Sequence, residues 1–195
     1  MNKCLFCGFF LVLLAAACKN KVKDTGDASG YFPVVSYLQS QVRQVDTALF
    51  SIIKITKKAG RQDTTYIRRE DFKTAAQDFL SLPDIAGNDL KDDYTETKLY
   101  DEDLKKFVFT YLPKDKNDAG EITRQDVIIE PNAGNGDQVQ TIYIETVLNK
   151  GDSTVQKKMT WNVNQSFQVI KLINKKNQPE TVETTNVTWS DGMGF

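Results

Sequence analysis

Apolar residues recur every three or four positions in two stretches of the chain, which is the spacing of one helix face. The first stretch carries Val35, Leu38, Val42, Val45 and Leu49. The second carries Phe72, Ala75, Ala76, Phe79 and Leu80. Pro33 precedes the first stretch, as is usual at a helix start, and Pro83 ends the second because proline cannot continue a helix. The pattern therefore predicts two amphipathic helices, over 35–49 and 69–82.

Most of the remaining chain is dense in β-branched and aromatic residues that alternate with polar ones, which is typical of strands. A hairpin is predicted between 49–56 and 64–67, with its turn at 57–60. Seven further strands are predicted at 94–100, 105–112, 122–130, 139–148, 154–163, 167–173 and 181–189. The breaks between most of them carry Asn, Asp and Gly, and such short connections require antiparallel neighbours.

The order of these elements predicts an α+β domain over residues 31–195. Its two N-terminal helices are expected to pack on a curled, mostly antiparallel meander sheet that resembles a half-barrel. Several central strands are apolar on both faces: Ile142 and Ile144 alternate with Tyr143 and Val147. Two helices can cover one face only. We expect the second face to be buried by the sheet curling into a closed or half-closed barrel; an apolar ligand cavity and a protein interface are the alternatives.

The N-terminus has the pattern of an export signal. Lys3 is followed by an apolar stretch from Leu5 to Leu14 and then by three alanines, which predicts a signal peptide over residues 1–17. The segment Leu-Ala-Ala-Ala-Cys ending at Cys18 resembles the lipobox of bacterial envelope lipoproteins. That resemblance covers the N-terminus alone. It implies cleavage by a type II signal peptidase and acylation of Cys18.

The residues after Cys18 are polar and small, without helical or strand periodicity, so 18–30 is expected to be the lipidated cysteine and a flexible tether. Twelve extended residues reach roughly 40 Å. The resemblance implies a membrane attachment through acyl chains. The sequence after the cysteine is Lys-Asn-Lys and not an acidic run, which favours an outer-membrane lipoprotein that faces the periplasm.

Composition excludes several function classes. Lys and Arg number 25 against 26 Asp and Glu, so no excess of positive charge is present for binding nucleic acid. The chain has no His, which excludes Ser-His-Asp and Cys-His catalysis and most transition-metal sites. Cys4 and Cys7 would leave with the signal peptide. We therefore expect no catalytic residues, no metal and no cofactor.

Three weaker sequence patterns indicate candidate sites for hydrolysis, calcium binding and O-glycosylation. The acidic stretch that contains Asp92, Asp93, Asp101 and Asp103 is a candidate for carboxylate-dependent hydrolysis, although solvated loop charge explains it as well. The segment from Asp115 to Asp126 resembles a calcium loop in part, but a plain hairpin turn is the expected structure. Asp-Thr-Thr and Asp-Ser-Thr triplets resemble bacterial O-glycosylation acceptors, which makes Thr64 and Ser153 candidate modification sites.

These observations predict a non-enzymatic binding or assembly component of the cell envelope. Its expected partners are the membrane, reached through the acyl anchor, and either an envelope protein or a hydrophobic ligand. One alternative is a carrier or sensor of a lipid-like ligand in a half-barrel cavity. The other alternative is a hydrolase that uses the acidic stretch.

Overall fold

The computed structural model describes residues 30–45, 47, 51–115, 121–132, 134 and 136–189. The predicted signal peptide, Cys18 and all of the tether except Gly30 lie outside these residues. The described helices are α1 (Val34–Val45), α2 (Arg69–Ala75) and α3 (Gln77–Leu80). The described strands are β1 (Ile52–Lys58), β2 (Arg61–Ile67), β3 (Tyr94–Asp101), β4 (Lys106–Pro113), β5 (Ile122–Glu130), β6 (Gln138–Lys150), β7 (Ser153–Asn162), β8 (Ser166–Lys175) and β9 (Thr181–Thr188).

The nine strands form one antiparallel sheet in the order β2-β1-β9-β8-β7-β6-β5-β4-β3. Strands β3 to β9 follow one another as a meander, and β9 returns to lie beside β1. The predicted antiparallel meander is confirmed. A closed barrel is wrong, because β2 and β3 each have one neighbouring strand in the described part of the chain.

The first hairpin shows how local sequence sets the strand register. Ala59 and Gly60 form its two-residue turn with φ angles of 48° and 76°. Two positive φ angles are the mark of the turn type whose twist matches paired strands. Lys58 and Arg61 therefore face each other across the turn, and Ile52 is opposite Ile67.

The helices are shorter than the periodicity predicted. Helix α1 ends at Val45, four residues before the predicted end. The predicted second helix is divided at Ala76, where ψ is 3° and the carbonyl accepts a bond from the Phe79 N–H at 3.0 Å. Phe72 and Phe79 on either side of this break are both fully buried. Both rings are thus part of the core although the helix is interrupted between them.

An aromatic cluster joins the helices to the sheet. It consists of Phe72, Phe79, Trp161, Phe167 and Trp189, whose ring centroids lie 5.0–6.2 Å apart. All five side chains are buried. Aromatic pairs at these separations add to the stability gained by burying their area. These rings fill the space between α2, α3 and the middle of the sheet.

The two faces of the sheet differ in what covers them. On β6, Ile142 and Ile144 point toward the helices and are fully buried, and we call this side the helix face. Tyr143 and Val147 point to the opposite side, which no helix of the described chain covers and which we call the open face. They are half-buried there. The sheet does not close, so the expectation that a closed barrel buries the second apolar set is wrong.

Candidate functional site

The predicted modification sites lie apart from one another. Thr64 is exposed on the edge strand β2. Ser153 is the first residue of β7, four strands away, and its hydroxyl donates to the Lys150 carbonyl at 3.1 Å. Cys18 lies outside the described residues.

The acidic stretch does not form a cluster. Asp92 and Asp93 are exposed in the turn before β3, and Asp103 is exposed after its end. Asp101 closes the β3–β4 hairpin, since its Oδ1 accepts the N–H groups of Asp103 at 3.0 Å and Leu104 at 2.9 Å. The length of β3, roughly 26 Å, separates the two pairs. This geometry gives the hydrolase alternative no support.

A row of hydrogen-bonding side chains crosses the open face instead. Its members stand opposite one another in register on six adjacent strands, β4 to β9, and we call them the polar row: Thr110, Asp126, Tyr143, Thr160, Gln168 and Asn186. Adjacent strands are about 4.8 Å apart, so the row is roughly 24 Å long. Five of the six are half-buried, and Asp126 is buried.

Asp126 is the least exposed member of the row. Its side chain is 9% exposed, and its Oδ2 accepts a bond from Arg124 Nε at 2.8 Å. The other oxygen, Oδ1, is buried and has no hydrogen-bond partner among the described residues. A buried acceptor without a partner costs about 1–3 kcal/mol. The Arg124 side chain that binds Oδ2 is itself 46% exposed.

Tyr143 and Glu145 extend this cluster along β6. The Tyr143 hydroxyl donates to Glu145 Oε1. Burial, followed by the hydrogen bond and the charge of Glu145, raises the pKa of Tyr143 above its ordinary value. Tyr143 is therefore a neutral phenol at physiological pH. Arg124 on β5 and Lys158 on β7 stand opposite Glu145, so two cations and two carboxylates balance each other here.

The far end of the row is made of amides. Gln168 Nε2 donates to Asn186 Oδ1 at 2.7 Å. This bond leaves the Gln168 carbonyl and the Asn186 N–H without a side-chain partner in the described part of the chain. An amide pair bound in this way presents one acceptor and one donor beside each other.

The N-terminal end of the described chain lies on the other side of the sheet. The Tyr31 ring contacts the Tyr111 ring on the helix face, with centroids 5.0 Å apart. The Phe32 N–H donates to the Tyr111 hydroxyl at 3.1 Å, and the Tyr31 hydroxyl donates to the Tyr94 carbonyl at 2.6 Å. Tyr31 and Phe32 therefore lie against the helix face, opposite to the polar row.

Two other surfaces of the described chain could hold a ligand, a groove between the helices and an exposed apolar patch. A groove of about 470 Å³ between α1 and the α2–α3 segment is lined by Gln39, Val42, Arg43, Lys73, Gln77 and Leu80. The β3–β4 hairpin exposes the apolar residues Leu99, Tyr100, Leu104, Phe107 and Leu112. Neither surface contains a buried polar atom that lacks a partner.

The chain matches no protein-family model, no curated protein and no solved structure. Within the described residues, no helix has the length and apolar character needed to cross a membrane. The same residues contain no group of three or more Cys, Asp or Glu arranged to hold a metal ion.

Proposed function

We propose that this chain is a membrane-anchored, periplasm-facing lipoprotein that binds a hydroxyl-rich ligand, the chemistry of an envelope glycan, on the open face of its sheet. Binding is non-enzymatic. The observation that carries the proposal is the buried, unpartnered Oδ1 of Asp126 within a polar row that no described helix covers.

The chemistry of the row favours hydroxyl groups as its partners. Each hydroxyl both donates and accepts, and the row offers both functions side by side: Asp126 and the Gln168 carbonyl accept, whereas the Asn186 amide donates. Arg124 and Lys158 balance the charges of Asp126 and Glu145, so the row has no local excess of charge that would favour an anionic or a cationic ligand. A lipid tail would leave these polar groups unsatisfied, which disfavours a hydrophobic ligand on this face.

A ligand reaches Asp126 only if a neighbouring side chain moves, because Oδ1 is buried. We infer that Arg124 is the side chain that moves, since it is 46% exposed and binds the adjacent Oδ2. A ligand hydroxyl that donates to Oδ1 supplies the missing hydrogen bond, worth about 1–3 kcal/mol, against the cost of moving Arg124 away from Oδ2. The displaced guanidinium has five N–H donors that can bind ring or hydroxyl oxygens of the same ligand.

The predicted anchor is compatible with a ligand-binding open face. Tyr31 and Phe32 contact Tyr111 on the helix face. A flexible tether of roughly 40 Å between Cys18 and this segment would let the open face turn toward an envelope glycan. Cys18→Ser removes the acylated group, and we expect the precursor of that variant to stay uncleaved by the type II peptidase. Normal maturation of Cys18→Ser would overturn the anchor.

Isothermal titration calorimetry tests the ligand class on the mature full-length protein in mild detergent. The probes are soluble peptidoglycan fragments in one arm and lipopolysaccharide-derived oligosaccharide in the other. We expect heat of binding in one arm, which identifies the source of the glycan. Absence of binding in both arms would overturn the proposed ligand class.

A pair of variants on one strand locates the binding. Thr160→Arg places a long side chain in the centre of the polar row and should weaken binding at least about tenfold, or 1.4 kcal/mol. Gln156→Arg is the matched control, because it lies on the same face of β7 outside the row. Equal affinities of the two variants would place the ligand elsewhere.

A further inference from the structure

Among the described residues no strand pairs with the outer edge of β3, and the backbone groups at that edge can be assigned. The Asp93 carbonyl accepts the Lys114 N–H at 2.8 Å, which continues the β3–β4 register by one pair. Antiparallel pairs alternate between hydrogen-bonded and non-bonded positions. The odd-numbered residues of β3 therefore bond to β4, and Glu96, Lys98 and Tyr100 direct their N–H and C=O groups away from the sheet.

Charged side chains are the one usual form of protection that this edge has. Edge strands are commonly protected by proline, by a bulge, by shortness or by charge, and β3 carries Glu96 and Lys98. Strand β3 has eight residues, no proline and an unbroken register with β4. Its Leu99 and Tyr100 side chains are 63% and 43% exposed. The Tyr31 hydroxyl already binds the Tyr94 carbonyl, so the free part of the edge begins at Thr95.

We propose that this edge pairs with the β3 strand of a second copy of the chain, antiparallel, with the two-fold axis at Thr97. Two hydrogen-bonded pairs form, each between Glu96 of one copy and Lys98 of the other. The two Thr97 residues then face each other as a non-bonded pair. Leu99 stands opposite Thr95 of the second copy.

Charge selects this register over its neighbours. Bonded pairs must join residues that direct their backbone groups outward, so the register changes in steps of two. One such step from the proposed register sets Glu96 against Glu96, and the step in the other direction sets Lys98 against Lys98. Like charges directly opposite each other destabilise a strand pair. Within one chain Lys98 Nζ binds Glu96 Oε2 at 3.0 Å, and only the register centred on Thr97 sets both members of this pair opposite the complementary charge of the second copy.

The resulting dimer suits two membrane anchors. The two-fold axis of an edge-to-edge antiparallel pair is perpendicular to the sheet, so the helix faces of both copies lie on the same side. Tyr31 also lies on that side in each copy. The open faces join into one continuous surface on the opposite side. The dimer does not depend on what ligand the open face binds.

Disulfide formation by single cysteines tests the register in the full-length protein in its own membrane. Cα atoms of a non-bonded antiparallel pair are about 4.5 Å apart, a distance that a disulfide can span. We expect Thr97→Cys to give a covalent dimer on mild oxidation, seen on a non-reducing gel. Thr95→Cys and Leu99→Cys alone should not, whereas the double variant Thr95→Cys/Leu99→Cys should. Equal cross-linking of all single variants, or none by Thr97→Cys, would overturn the proposal.

A charge exchange gives a second test by native mass spectrometry of the protein in mild detergent. Lys98→Glu sets like charges against each other in both pairs and should weaken the dimer about tenfold. The exchange Glu96→Lys/Lys98→Glu restores opposite charges and should restore the dimer. A wild-type protein that stays monomeric at every concentration would overturn the proposal.

Discussion

The Phe79 ring lies edge to face against the Trp161 indole, with ring centroids 5.3 Å apart and planes at 85°. This contact joins the four-residue helix α3 to β7 near the centre of the sheet. Both side chains are fully buried. A helix this short has little stability of its own, so its position depends on such tertiary contacts.

Phe79→Ala is therefore expected to lower the free energy of unfolding by about 3–5 kcal/mol, through lost burial and the cavity it leaves. Urea denaturation followed by tryptophan fluorescence measures the change. Phe107→Ala is the control. Phe107 is 36% exposed, so its replacement should lower the free energy of unfolding far less. Equal losses in the two variants would contradict the role of the aromatic cluster.

A second link between α3 and the sheet is ionic. Asp78 binds Lys157 at 3.1 Å and Lys171 at 2.9 Å. Burial acts to raise the pKa of Asp78, but the hydrogen bonds and charges of Lys171 and Lys157 outweigh it and hold this pKa below its ordinary value of 3.8. The ionised carboxylate therefore stabilises the folded state above pH 3.8, and this stabilisation is lost as the pH falls through the lowered pKa.

Asp78→Asn is expected to reduce stability at pH 7 by about 1 kcal/mol, because the groups stay partly exposed to solvent. Denaturation of both proteins at pH 7 and at pH 3 or below measures the difference. The two stabilities should converge at the lower pH. A difference that grows on acidification would contradict the assigned sign.

The β1–β2 turn carries a strain that can be removed. Ala59 has a φ of 48°, which costs a residue with a Cβ about 1–2 kcal/mol. Asparagine followed by glycine is the preferred pair for this turn, and Gly60 is already present. Ala59→Asn should raise the unfolding free energy by about 1 kcal/mol. Thermal denaturation measures it, and Gly60→Ala, at a φ of 76°, should have the opposite effect. A destabilised Ala59→Asn would contradict the turn geometry.

Tyr111 connects the N-terminal segment to the edge strand. Its hydroxyl donates to Glu96 Oε1 at 2.8 Å and accepts the Phe32 N–H at 3.1 Å. Burial is the largest cause that raises the pKa of Tyr111, and the hydrogen bond to Glu96 adds to it. A raised pKa gives stability that is complete below pH 10.0 and is lost as the pH rises toward the folded-state pKa.

Tyr111→Phe should therefore lower the free energy of unfolding by about 1–3 kcal/mol at pH 7, since the Glu96 carboxylate and the Phe32 N–H each lose a hydrogen-bond partner. Chemical denaturation between pH 7 and 11 measures the loss. The difference from the wild-type protein should shrink above pH 10.0. An unchanged difference across this range would show that the hydroxyl does not couple to folding.

The sequence predicted the strands well because their signals are local. Alternation and turn residues located β3 to β9 to within two residues at each end. Closure of the sheet depends on whether β2 and β3 meet, which no local pattern encodes. The helix break at Ala76 leaves Phe72 and Phe79 in one cluster, as their seven-residue spacing on a continuous helix also would, so periodicity does not locate the break.

The polar row was beyond prediction for a similar reason. Alternation in β7 correctly separates Thr160 from Trp161. Thr160 lies opposite Tyr143 and Gln168 because of the register of β6, β7 and β8. Alternation within a single strand does not predict that register. The sequence pattern places Asp126 at the end of a calcium-like loop, whereas in the structure Asp126 lies within β5 and binds Arg124.

The central claim is that the open face of the sheet is the binding surface. Methyl NMR of the full-length protein, titrated with soluble envelope glycan fragments, tests this claim most directly. Strand β6 supplies an internal reference, because Thr141 lies on the open face and Ile142 and Ile144 lie on the helix face. We predict that shifts will occur at Thr110, Thr141 and Thr160 and will be absent at Ile142 and Ile144. Shifts confined to the helix face or the α1–α2 groove, or no shifts with any glycan, would contradict it.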